Sequence, residues 1–175
     1  MRRVVYRIAA SLDGFIAGPN GEIDWIIQDP TTDFSTVYSR FDTVLLGRRT
    51  YELTQQPGAP PWPNGWRVFV FSRTLNANDH PVVTVVSADI SDAVAELRAE
   101  PGRDIWVFGG GSLVASLLAA DLVDEIQVAV MPVLLGIGVP IVGAGAPRYR
   151  LNLTSFDVSA TGIVNLKYDL RRTAG

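Results

Sequence analysis

The stretch Ile105-Trp106-Val107-Phe108-Gly109-Gly110-Gly111-Ser112-Leu113 constrains this chain more than any other. Its opening residues are all aromatic or branched, which suits a strand covered on both faces of a parallel sheet. The glycines that follow leave backbone amides bare at the strand's carboxyl end. Leu113, Val114, Leu117 and Leu118 then recur at helical spacing and form a core-facing stripe. A glycine turn feeding a helix gathers unpaired N–H groups at the positive end of the helix dipole, a natural seat for phosphate. A tight turn that binds nothing is the alternative.

The rest of the chain repeats this grammar. Val4 to Ala10 reads as a strand ended by Ser11-Leu12-Asp13-Gly14, and Gly18-Pro19-Asn20-Gly21 extends the loop. Trp25 sits among aliphatics with Asp24 and Asp29 nearby. A helix is expected from about Thr32 to Arg40. Thr43 to Gly47 is a strand opening into Arg48-Arg49-Thr50-Tyr51-Glu52, the first turn of a helix. Gln55 to Trp66, rich in Pro and Gly, is an extended loop whose Trp62 and Trp66 either pin it to the body or line a cleft. Val68–Phe71, closed by Ser72-Arg73, and Pro81–Val86 are further strands. Asp89 or Ser91 caps a helix with Ile90, Val94 and Leu97 on one face. Asp124–Met131 is a strand ended by Pro132, and the tail forms a hairpin of Asn152–Val158 and Ile163–Leu170. Strands alternating with helices define an α/β domain, its sheet largely parallel with an antiparallel C-terminal pair.

A net charge of -3 provides no basic surface for nucleic acid or anionic lipid. Without cysteine, disulfides, thiolate catalysis and cysteine-ligated metals are excluded. No apolar run approaches the ~18 residues that span a bilayer, and Arg7 interrupts any signal-peptide apolar region. A cytoplasmic protein is expected.

Ligands of such sheets collect at the carboxyl ends of the strands. Asp13, Gly47 with Arg48, Arg49 and Thr50, Ser72 with Arg73, and Gly109 to Ser112 all fall there. Arginines, hydroxyls and bare amides with one carboxylate suit a phosphorylated cofactor better than a metal. NADPH fits in particular, because an added ribose phosphate attracts Arg where NAD favours an acid. A dinucleotide G-x-G-x-x-G and a nucleophile elbow G-x-S-x-G both fail at Val114. The one histidine, His80, lies between Asp79 and Pro81 in a surface turn. Proton transfer therefore falls to a carboxylate, a tyrosine or water. Asp13, Asp24 and Asp29 are turn or capping residues unless they face substrate.

These residues together resemble the dihydrofolate reductase superfamily, and especially the C-terminal reductase domain of the bifunctional riboflavin-biosynthesis deaminase–reductase. The resemblance runs through Ala10 to Gly14, Gly21 to Trp25, Leu46 to Glu52, Phe71 to Arg73, Val107 to Leu113 and Gly136 to Pro140. It implies a single-domain, three-layer dihydrofolate reductase-like sandwich, a mixed sheet with helices on both faces. It also implies an NADPH-dependent reductase of a pterin-like or ribosylaminopyrimidine-like heterocycle. Arg48, Arg49 and Thr50 would hold the cofactor's phosphates, and Ser72 and Arg73 would lie by the adenosine end. Gly109 to Ser112, flanked by Phe108 and Leu113, would take the pyrophosphate, with Gly47 beside them. Ala10 and Ile16 would border the nicotinamide. Asp13, Trp25 and Asp29 are the candidate catalytic residues, and no metal is expected. Asp29 falls near the acid that binds pterin in dihydrofolate reductases; Ala129 replaces the threonine that supports it. Phe108 stands where riboflavin-pathway reductases carry a glutamate. A non-catalytic nucleotide-binding protein of the same fold is the alternative function, and a homodimer covering the C-terminal strand edge is expected.

Overall fold

Successive residues of the buried strands point to opposite helix layers. In the computed structural model, which describes residues 1–170, strand β1 (Val4–Ser11) sends Val4 and Tyr6 to one layer and Val5 to the other. Strand β3 (Phe41–Gly47) splits Leu45 from Val44 and Leu46 in the same way, and β6 (Asp104–Gly109) splits Ile105 and Val107 from Trp106. The period-2 alternation of a strand makes both faces apolar, so both need helices. Helices α3 (Ile90–Ala99) and α4 (Gly111–Ala119) cover the first face with Val94, Leu97, Leu113, Val114 and Leu117. The other face receives Tyr51 of α2 (Arg48–Thr54), with Val37 and Tyr38 of α1 (Phe34–Ser39) packed against the same cluster.

The remaining strands are β2 (Phe15–Ala17), β4 (Arg67–Phe71), β5 (Thr84–Val86), β7 (Glu125–Met131), β8 (Val139–Pro140), β9 (Leu151–Val158) and β10 (Val164–Leu170). The main sheet runs β5-β4-β3-β6-β1-β7-β10-β9. It is parallel from β5 through β7 and antiparallel across β7, β10 and β9. This is the mixed sheet with helices on both faces and the C-terminal hairpin that the sequence leads one to expect.

Three details differ. The strand expected over Pro81–Val86 is confined to β5, since Pro81 has no N–H to donate and Val82 is exposed. The first helix shortens to Phe34–Ser39, with the Asp33 carboxylate capping the Ser35 N–H. The segment around Phe15, expected as a loop, pairs with Val139 and Pro140 as the small β2–β8 ladder. Among the described residues no helix is long and apolar enough to cross a membrane.

Candidate functional site

Strands β3 and β6 are neighbours, yet the helix that follows β3 packs on one face and the helix that follows β6 on the other. The diverging connections open a crevice at the strands' carboxyl ends, the usual ligand position in such sheets. The resulting cleft has a volume of roughly 2030 Å³. Drug-sized sites occupy about 300–1,000 Å³, so this one has room for a dinucleotide and a second small molecule.

One half of the cleft is built from backbone and arginine. Gly47 caps α2 and Gly110 caps α4, neither with a side-chain hydrogen bond, so first-turn amides at both helices lack a side-chain acceptor. A Cβ on Gly47 would lie 3.6 Å from the Gly110 nitrogen, and one on Gly110 would lie 3.2 Å from Thr50 Oγ1. The two glycine turns thus meet closely, with the Thr50 hydroxyl beside them, and the Gly109–Gly110 peptide is cis. Arg48, Arg49, Thr50, Ser72, Arg73 and Ser112 stand around it on the cleft wall. Arg48 is fixed by Glu52 Oε1 and by Thr74 Oγ1, both at 2.7 Å. Ser72 Oγ already accepts from the Thr74 and Leu75 amides, which shapes the turn that carries Arg73. Ile16, Gly109, Gly111 and Leu113 also line the cleft; Ala10 is buried behind the wall.

The other half is aromatic on one side and polar below. Trp106 and Phe108 meet edge to face at 5.3 Å, and Trp62 meets Phe108 at 5.1 Å. The loop tryptophans divide the two roles left open above: Trp62 lines the cleft, while Trp66 packs on Tyr38, Phe41 and Trp106. Arg7, Gln127 and Lys167 form the polar floor.

The candidate catalytic residues separate. Asp29 is on the cleft wall, with its carboxylate accepting from the Thr31 hydroxyl at 2.6 Å and amide at 2.9 Å. The Thr31 hydroxyl, helped by that amide, holds its pKa below the ordinary value. Asp13 is exposed and outside the wall; its carboxylate accepts from Ser11 Oγ at 2.6 Å and from the Gly136 amide at 2.7 Å, and also binds the Leu135 amide. The Ser11 hydrogen bond leads in lowering its pKa. Asp13 therefore ties the end of β1 to a distant loop. Trp25 also stands off the wall, donating from Nε1 to the Glu22 carbonyl at 3.0 Å. His80, expected in a surface turn, is half-buried with Nδ1 3.0 Å from the Tyr51 hydroxyl.

Beneath the floor lies a buried charge that sequence reading passed over. Glu125 is fully buried, and Arg40 grips both its oxygens at 2.7 and 2.9 Å. Burial opposes its ionisation, but hydrogen bonds from Arg40 and Gln127, with the charges of Arg40 and Lys167, bring its pKa down to about 2. The signal was present in Val4-Val5-Tyr6-Arg7-Ile8, where an arginine interrupts an otherwise apolar central strand. A charge on a buried strand needs a partner, and β7 supplies it.

A mixed α/β sheet with a ligand-sized crevice at its parallel strand ends, closed by an antiparallel hairpin, defines the dihydrofolate reductase-like fold class. Residues 2–165 match the RibD C-terminal domain family, and the chain belongs to it. The uncharacterized protein YyaP of Bacillus subtilis (strain 168) is 34% identical over 178 residues, covering 95% of this chain and 94% of that one. A Shewanella sp. PV-4 crystal structure, provisionally named for riboflavin biosynthesis, superposes with a TM-score of 0.83 at 29% identity, covering 97% of this chain and 99% of that one. A Thermotoga maritima diaminohydroxyphosphoribosylaminopyrimidine deaminase/5-amino-6-(5-phosphoribosylamino)uracil reductase shares the fold with a TM-score of 0.70 at 19% identity. The match covers 97% of this chain and 57% of that larger one.

Proposed function

We propose that the protein is an NADPH-dependent reductase of a small planar heterocycle, pterin-like or ribosylaminopyrimidine-like. The observation that carries this reading is the division of one cleft into an arginine-rimmed glycine surface and a separate aromatic compartment. The donor set fits a phosphorylated dinucleotide: bare amides of Gly109 to Ser112 suit a pyrophosphate, and Arg48, Arg49 and Arg73 with Thr50 and Ser72 suit the added phosphate. When bound, that cofactor supplies hydride chemistry. This chain's own residues would hold it, with Gly47, Phe108 and Leu113 beside the pyrophosphate, Ile16 toward the nicotinamide and Ala10 behind the wall there. Trp62, Trp106 and Phe108 then offer flat apolar surfaces that seat a ring and keep water from it.

The second reading is a non-catalytic NADP(H)-binding protein of the same fold. It is favoured by the engagement of the cleft carboxylates, since Asp29 is held by Thr31 and Asp157 by Asn165. Under either reading the protein acts in the cytoplasm on a small molecule and works as a homodimer. Leu151, Leu153, Phe156 and Val158 of β9 are exposed on one face of the sheet edge, a surface that a second copy would cover.

The deciding experiment is calorimetric titration with NADPH and, in parallel, NADH. Clear preference for NADPH supports the cofactor assignment; absence of binding to either overturns it. Oxidation of NADPH over a panel of pterins and ribitylaminopyrimidines then separates the enzyme from the binding protein.

A further inference from the structure

The sheet register lays out the substrate half of the cleft row by row. Arg7, Gln127, Lys167 and Ser155 stand side by side across β1, β7, β10 and β9. The next row on the same face is Ala9, Ala129, Asn165 and Asp157. Two adjacent alanines leave a hollow in the floor beside the aromatic wall. Donors from Arg7 and Lys167 flank it on one side, and Asn165 and Asp157 on the other. Lys167 is the only lysine of the whole chain.

Arg7 is held in this place by a chain of hydrogen bonds that ends in the protein interior. Its Nη1 donates to Gln127 Oε1 at 2.5 Å. The Gln127 amide nitrogen donates in turn to Glu125, and Arg40 fixes Glu125 with its two-pronged grip while its own Nε sits 2.7 Å from Asp104. The amide cannot turn over without setting its nitrogen against an arginine and its oxygen against a carboxylate. From the far side, Trp106 Nε1 donates to the Arg7 carbonyl at 2.9 Å. Among the described residues Gln127 is the one hydrogen-bond partner of the Arg7 guanidinium. The remaining donors of that planar fork are left for the cleft that Arg7 lines.

The charges around it select the kind of group it can receive. Arg3, Arg7, Arg40 and Lys167 are matched by Asp104, Glu125, Asp157 and Asp169. An added oxyanion would leave this charge-balanced patch with a surplus of negative charge, whereas a neutral carbonyl satisfies a pre-aimed donor without one.

We propose that Arg7 is the specificity-determining residue of the substrate half, donating to an uncharged ring oxygen of a flat heterocycle, with Gln127, Glu125 and Arg40 as its positioning residues. The proposal rests on the reading of this cleft as a reductase site, and its test is chosen to fail separately from that reading. Lumazine, a neutral planar dioxo heterocycle, is titrated calorimetrically into the NADP⁺-saturated protein and its variants, with NADPH affinity measured on each as a control for folding. Arg7→Met weakens lumazine about tenfold or more while leaving NADPH affinity unchanged, and Arg7→Lys recovers part of the loss. Gln127→Met, which frees Arg7 but keeps its charge, weakens lumazine by roughly three- to tenfold.

Wild-type affinity for lumazine in Arg7→Met overturns the proposal, and so does a wild-type protein that does not bind lumazine. Displacement of lumazine by inorganic phosphate that disappears in Arg7→Met puts an oxyanion at Arg7 and also overturns it. Lumazine binding that depends on Arg7 in a protein with no affinity for NADPH sustains the proposal and removes the reductase reading instead.

Discussion

Gly111 at the start of α4 and Pro140 of β8 are pressed so closely together that a Cβ on Gly111 would lie 2.6 Å from the Pro140 carbonyl oxygen. It would also lie 3.0 Å from the nitrogen of Gly143, which donates to the Gly111 carbonyl at 2.9 Å. Backbone on both sides leaves no flexible atom to yield. Gly111→Ala should therefore displace the 139–143 segment and cost about 1–3 kcal/mol, as overpacking typically does. A lower urea midpoint with an unchanged slope is the expected result; an unchanged midpoint would mean that the segment moves freely.

Arg48→Ala should weaken NADPH far more than NADH. A lost charge-assisted phosphate contact is worth about 1.5–3 kcal/mol, or roughly ten- to a hundredfold in affinity. Equal losses for the two cofactors would remove Arg48 from the phosphate site.

Glu125 makes stability depend on acid. Its pKa of about 2 lies below the usual 4.5, so the unfolded chain binds its proton first. The stabilisation is complete above pH 4.5 and is lost as pH falls toward 2. Thermal unfolding should show a declining Tm across that window. Glu125→Gln should flatten the decline and cost about 1–3 kcal/mol near neutrality, because Arg40 then keeps only Asp104 as a charged partner. Parallel pH profiles for the two proteins would show that the charge contributes nothing there.

Phe156→Glu should convert the expected homodimer to monomer. Phe156 is 68% exposed and shares its face with Leu151, Leu153 and Val158. Sedimentation at micromolar concentration distinguishes the outcomes; an unchanged dimer would move the interface elsewhere, and a monomeric wild type would reject the dimer.

The half of the cleft built from backbone and arginine is legible because its elements are local. Phe108 to Leu113 and Leu46 to Tyr51 each carry strand, turn and helix start within a few consecutive residues. The floor of the cleft is not, because its members are neighbours only through register. Arg7 meets Gln127 across β1 and β7, and Gln127 meets Lys167 across β7 and β10. Asp13 shows the opposite failure. Its Asp-Gly turn is evident from the sequence, but the clasp on Leu135 and Gly136 that occupies its carboxylate spans 122 and 123 residues. The β2–β8 ladder escaped notice for a related reason, being too short to show alternation.

Strand β1 lies at the centre of the sheet, between β6 and β7. It precedes the other strands of its sheet in the chain, yet Val5 must wait for Trp106 and Glu125, both its register partners. Until Trp106 has been made, this central strand has no partner in the main sheet, and long-range pairing of this kind is slow and prone to aggregation. A fragment that ends before β7 leaves one edge of β1 unpaired, an open template for association between chains.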